Sequence, residues 1–155
     1  MERLNHWLAL IGNLGVIAGI VFLAYEIQAN TNAVRSATYQ AFNDSSFSWA
    51  DSAIENAAIM AKAAANGSLA ELSPKERIIW DRFMFKTFTV MESNYLHHRA
   101  GSMDDDVFES KISGSIGAIL NEPLWIESWN RAGFLLPEFK EYMNSRLRAT
   151  KISGS

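Results

Sequence analysis

The densest group of side chains capable of chemistry lies within one short stretch, Glu92, Asn94, His97 and His98. A carboxylate beside two imidazoles is the raw material of an acid–base pair or a divalent-metal site. The spacing argues against both. Metal ligands on a helix want to stand three or four positions apart, whereas His97 and His98 are adjacent and diverge by about 100°. Glu92 and His97 are five apart, again off a shared face. Glu92 shares a helical row with Phe85, Phe88 and Tyr95, which points it toward an apolar interior. An inward carboxylate must be paired or protonated, and Arg35, Arg82 or a histidine could pair it. The expectation is a structural ion pair, with Glu92, Asn94, His97, His98 and Arg35 as the buried polar candidates. An enzyme or metal site using Glu92 with His97 or His98 is the rival. No catalytic, cofactor-binding or metal-ligating residue is assigned, and no cofactor is expected.

Other chemistries fail on their motifs. The sequence has no GxSxG, no GxxxxGK and no GxGxxG, which removes the usual serine-hydrolase, P-loop and dinucleotide signatures. With no cysteine, disulfide frameworks, thiolate zinc sites and iron–sulfur clusters are excluded. Asp104, Asp105 and Asp106 lack the glycine and distal glutamate of a calcium loop and suit a helix N-terminus instead. A formal charge of −3 speaks against a nucleic-acid partner. The locally basic end, Lys140, Arg146, Arg148 and Lys151 against Glu141, fits a helix C-terminus.

The elements that must position these residues begin with an apolar one. Trp7 to Tyr25 runs for 19 residues without a charge and with one amide, Asn13. As a helix it measures about 28 Å, close to the roughly 30 Å of bilayer hydrocarbon, with aromatic rings at both ends. A barely basic Met1-Glu2-Arg3 and the lack of a small-x-small site favour a retained anchor over a cleaved leader. Gly12, Gly15 and Gly19 form one face and include a GxxxG, and Asn13 beside them seeks a partner. Together the four residues predict association through this helix.

The helical period continues through Val34, Ala37, Ala41 and Phe42, so the anchor is expected to continue into the domain as one helix and to break between Asn43 and Asn56. Asn66-Gly67-Ser68 predicts a loop. Ser73-Pro74-Lys75-Glu76 predicts a capped helix start and a helix ending near Arg99 and Gly101. Trp80, Phe83, Met84, Phe88, Met91 and Tyr95 form its apolar face. Ser102 with Asp105 is expected to cap the next helix, striped by Phe108, Ile112, Ile116 and Ile119. Pro123 and Pro137 open two more helices, the first closed by Gly133. No segment alternates as a strand would. The fold class is therefore all-α: one N-terminal transmembrane helix continuing into a small helical bundle of about five further helices. The expected organisation is an anchor at 1–28, a helical domain at 29–150 and a tail at 151–155.

The apolar anchor, Ala33-Val34-Arg35, Ala37-Thr38-Tyr39-Gln40-Ala41, Ser73-Pro74-Lys75-Glu76-Arg77 and Glu92-Ser93-Asn94-Tyr95 together resemble a widespread group of short, uncharacterised bacterial proteins with one N-terminal membrane helix. The resemblance implies a single-pass protein of the bacterial inner membrane with a cytoplasmic domain, and it brings no catalytic residues. Members are basic just after the anchor, where this chain has Glu26, Ala29 and Asn32. The functional expectation is a non-enzymatic, membrane-anchored assembly or accessory subunit. Its partners would be membrane lipid and either copies of itself or a larger membrane complex. The second expectation is a homo-oligomeric channel lined by Asn13, Glu26, Gln28 and Asn30.

Overall fold

The structure, a computed structural model, describes residues 2–153; Met1 and the last two tail positions, Gly154 and Ser155, lie outside the described residues. Among these the chain is all-α, with six helices and no strand. Helix α1 covers Glu2–Glu55 and is followed by α2 (Ala57–Asn66), α3 (Pro74–Arg99), α4 (Asp105–Asn121), α5 (Pro123–Arg131) and α6 (Pro137–Ser153). A 3-10 turn, Leu69–Glu71, lies between α2 and α3. The chain divides into two compact units, 1–37 and 38–155, and α1 contributes residues to each.

The first unit is a single helical segment whose side chains are exposed from Glu2 to Ala37. Its apolar window has a mean hydropathy of 2.2 and no part of it is buried, so this helix is long and apolar enough to cross a membrane.

The second unit holds the core. The interruption after α1 falls at Asn56, whose side-chain amide donates to the Ser52 carbonyl at 2.8 Å. Alanine-rich α2 has high intrinsic helix propensity and ends at Gly67, where φ is +59°, a left-handed geometry that glycine adopts without strain. Helix α3 starts on a reciprocal cap. The Glu76 amide donates to Ser73 Oγ, and Glu76 Oε2 accepts from the Ser73 amide at 2.7 Å. Lys62 of α2 adds an ion pair to the same carboxylate at 2.8 Å. Trp80, Phe83, Met84, Phe88 and Met91 are buried as their spacing predicts.

Two expectations about helix ends need correction. The residue preceding α4 is Asp104, and no side chain caps that helix. Ser102 instead turns back to α3, donating to the His97 carbonyl at 3.0 Å. The Asp104 carboxylate is drawn away from the helix amides because the Tyr39 hydroxyl donates to it at 2.7 Å. Gly133 is not the closing residue of α5. Ala132 occupies that position, and Lys140 Nζ donates to the Trp129 and Ala132 carbonyls, which satisfies the end of the helix.

Phe88, Phe108, Ile112, Ile119, Trp129, Phe139 and Met143 are fully buried at the centre. The Trp129 ring meets Phe88 edge-on at 5.2 Å and Phe139 at 5.9 Å, the arrangement aromatic quadrupoles prefer. Its indole N–H donates to Asn144 Oδ1 at 2.8 Å. A two-pronged fork from Arg146 to Glu109, at 2.6 and 2.9 Å, ties α6 to α4. The Arg146 hydrogen bonds hold the Glu109 carboxyl below its ordinary value, while partial burial raises the Tyr142 hydroxyl beside it.

Candidate functional site

The four polar residues near the end of α3 do not converge on one point. Glu92 is half-buried, and its carboxylate accepts from the Leu136 amide at 2.6 Å. Leu136 immediately precedes α6, whose N-terminus carries unpaired amides and a partial positive charge. Glu92 therefore does from α3 what a capping glutamate does from within its own helix. Arg35 lies in the first unit and Glu92 in the second, and none of the described ion pairs includes Glu92.

The histidines go elsewhere. His97 Nδ1 lies 3.2 Å from Ser102 Oγ. His98 stacks on Phe108, with ring centroids 4.0 Å apart and planes 6° from parallel, and its Nε2 lies 2.9 Å from Asp105 Oδ1. Both imidazoles thus fasten the turn at Gly101, where φ is +71°, between α3 and α4. Among the described residues no three His, Asp or Glu side chains gather as metal ligands would.

Asn94 is different. It is 8% exposed, and no hydrogen bond to its side chain occurs among the described residues. Among the described residues no side-chain nitrogen or oxygen is both sealed from solvent and unpartnered, so its amide opens onto space. That space is a trough of about 590 Å³ in the second unit, walled by α1 through Phe42 and Trp49, by α3 through Met91 and Asn94, and by α4 and α5 through Ala118 and Trp125. A smaller cavity of about 200 Å³ shares Phe42, Val90 and Asn94 with it. The α1 wall is held to α3 by polar bonds. Trp49 Nε1 donates to Thr87 Oγ1 at 2.9 Å, and Lys86 Nζ donates to Ser48 Oγ and Ser52 Oγ, each at 2.8 Å.

The trough was not legible as a site in the sequence. Its trace is the seven-residue spacing of Phe42 and Trp49, with Phe47 between them, which sets aromatics among the serines, asparagine and aspartate of a mostly polar helix segment.

In the first unit, Gly12, Asn13, Gly15 and Gly19 lie in the exposed apolar helix. A methyl group added to any of the three glycines would meet nothing within 4 Å. No protein-family model matches the chain, and no curated protein or solved structure matches it.

Proposed function

We propose that this protein is a single-pass, membrane-anchored assembly or accessory subunit with no enzymatic role. In this reading it sits in a bacterial inner membrane with its helical domain on the cytoplasmic side. It associates, with copies of itself or within a larger membrane complex, through the face bearing Gly12, Asn13, Gly15 and Gly19. The observation that carries the proposal is the uncovered state of the first unit. Leu10, Leu14, Ile17, Val21 and Leu23 are each more than half exposed, in a window of which none is buried. A core helix of equal hydropathy would be covered by its own domain. A contiguous apolar surface of this size is unfavourable in water and favourable in hydrocarbon, where a helix satisfies its own backbone groups.

Association is supported by the open glycine face and by Asn13 within it. Small residues let two helix backbones approach closely, and an amide in hydrocarbon gains from a partner across the interface. A Cβ added at any of these glycines meets nothing within 4 Å among the described residues, so a larger side chain there would affect a partner rather than the fold. Gly15→Leu and Gly19→Leu are each expected to shift the detergent-solubilised particle toward a monomer in mass measured by light scattering. An unchanged mass in both variants would remove the association.

A further inference from the structure

We propose that the trough between α1, α3 and α4 binds a single alkyl chain carrying one anionic head group. The head would lie at Asn94 and Lys111, and the tail would run toward Trp49 and Trp125. The inference concerns the second unit alone and is independent of the membrane reading.

The polar end offers an amide that bonds to no described protein atom and faces the trough. The Asn94 side chain can make several hydrogen bonds and is more than nine-tenths buried. Because the amide faces the trough, its hydrogen bonds go to whatever fills that space, water or a ligand's polar head. Lys111 stands at the same end. Its ammonium lies 4.7 Å from the centroid of the Phe42 ring, and Phe42 and Asn94 together border both the trough and its smaller neighbour. Among the described residues, Lys111 is the only ionisable one lining the trough, and none of the described ion pairs includes it. The described lining therefore presents a single positive charge, which favours an anion over a cation.

The other end and the shape set the rest of the ligand. Along α1 the lining runs from Phe42 to Ala50, a distance of about 12 Å at helical rise. From the polar end the wall passes Met91 and Ala118 to the two indoles, Trp49 and Trp125. The Trp49 N–H is already committed to Thr87, so this end is mostly carbon, with the Trp125 indole N–H as its one donor without a described partner. An elongated, apolar slot with one cation and one amide at one end matches a chain with a terminal anion. The volume of about 590 Å³ lies within the usual range for small-molecule sites. Water alone would satisfy Asn94 but would also wet the aromatic walls.

The test uses the full chain in phosphatidylcholine nanodiscs, in a Trp7→Phe background so that the remaining indoles lie in the second unit. The probe is dodecanoate brominated at its tail end, which quenches nearby tryptophan. Saturable quenching is expected, and it should be competed by plain dodecanoate but not by a cationic amphiphile of equal chain length. Lys111→Met should weaken binding about fivefold, the size of an exposed charge interaction. Gly114→Leu should abolish it. Gly114 lines the trough, an added Cβ there meets nothing within 4 Å, and leucine is the better helix former, so the fold is retained while the slot is filled. Asn94→Leu should lose binding and raise the thermal midpoint of the empty protein, whereas an amide with a structural role would lower it when removed. Variant-sensitive quenching by a brominated-chain lysophosphatidylglycerol, which has one acyl chain, supports the same chemistry, with a membrane lipid as its source. Quenching that grows linearly with probe and ignores Lys111→Met and Gly114→Leu would overturn the proposal, as would equal competition by the cationic amphiphile.

Discussion

Single side chains here act mainly on helix ends. Glu92 is the clearest case, because its carboxylate completes the start of a helix distant in sequence. Glu92→Gln keeps the shape but removes the charge that complements the amide and the helix terminus. It should lower stability by about 1 kcal/mol, the difference between a charge-assisted and a neutral bond, read as a shift in denaturant midpoint. An unchanged midpoint would free Glu92 for another role. Glu76 reports on pH. The Lys62 ammonium, then the Ser73 hydroxyl and amide, hold its carboxyl at about 2 in the folded protein, against an ordinary value of 4.5. The folded state therefore favours the ionised form. The resulting stability is fully present above about 4.5 and is lost as pH falls through about 2. The gap in thermal midpoint between wild type and Glu76→Gln should be constant near neutrality and close within that acid window. A gap that persists at the acid end would mean that the pairing with Lys62 does not form in solution.

At the scale of the element, α3 organises the domain. It begins at the Ser73 cap, carries the buried face from Trp80 to Met91, and ends in two histidines that secure the turn into α4. Ser73→Ala removes one half of the reciprocal cap and should cost about 1 kcal/mol, measurable by urea unfolding followed by circular dichroism. No loss on that substitution would show that Pro74 and the Lys62–Glu76 pair suffice to start the helix. Helix α1 differs in kind between its two portions. Its residues in the first unit expose apolar side chains, and those in the second unit use Tyr39, Ser48 and Trp49 as hydrogen-bonding anchors.

For the whole molecule, the division at Ala37 and Thr38 separates two kinds of physical chemistry. The first unit buries none of its described residues, and the second has a core centred on α3 to α6, to which α2 and the 3-10 turn add Ala63 and Leu69. The full chain is therefore expected to pellet with membranes and resist extraction by alkaline carbonate. Residues 38–155 expressed alone should stay in solution without detergent and remain helical. Sedimentation of that shorter chain with membranes, or a full chain soluble in buffer, would contradict the anchor.

Much of the architecture follows from local rules that a sequence carries openly. The apolar run from Trp7 to Tyr25, the Ser73-Pro74-Lys75-Glu76 start and the stripe Phe108, Ile112, Ile116 and Ile119 each depend on neighbours within a turn or two of helix. Their place in an all-α chain is set by period and capping. What the tertiary structure alone decided are partners distant in the chain. Nothing near Glu92 names Leu136 as its acceptor's counterpart, and nothing near Ser102 announces that it will bond to His97 while Tyr39 takes Asp104. The trough has the same origin. Phe42, Asn94, Lys111 and Trp125 come from four helices, and the space they enclose exists only because those helices pack with a gap that no single segment encodes.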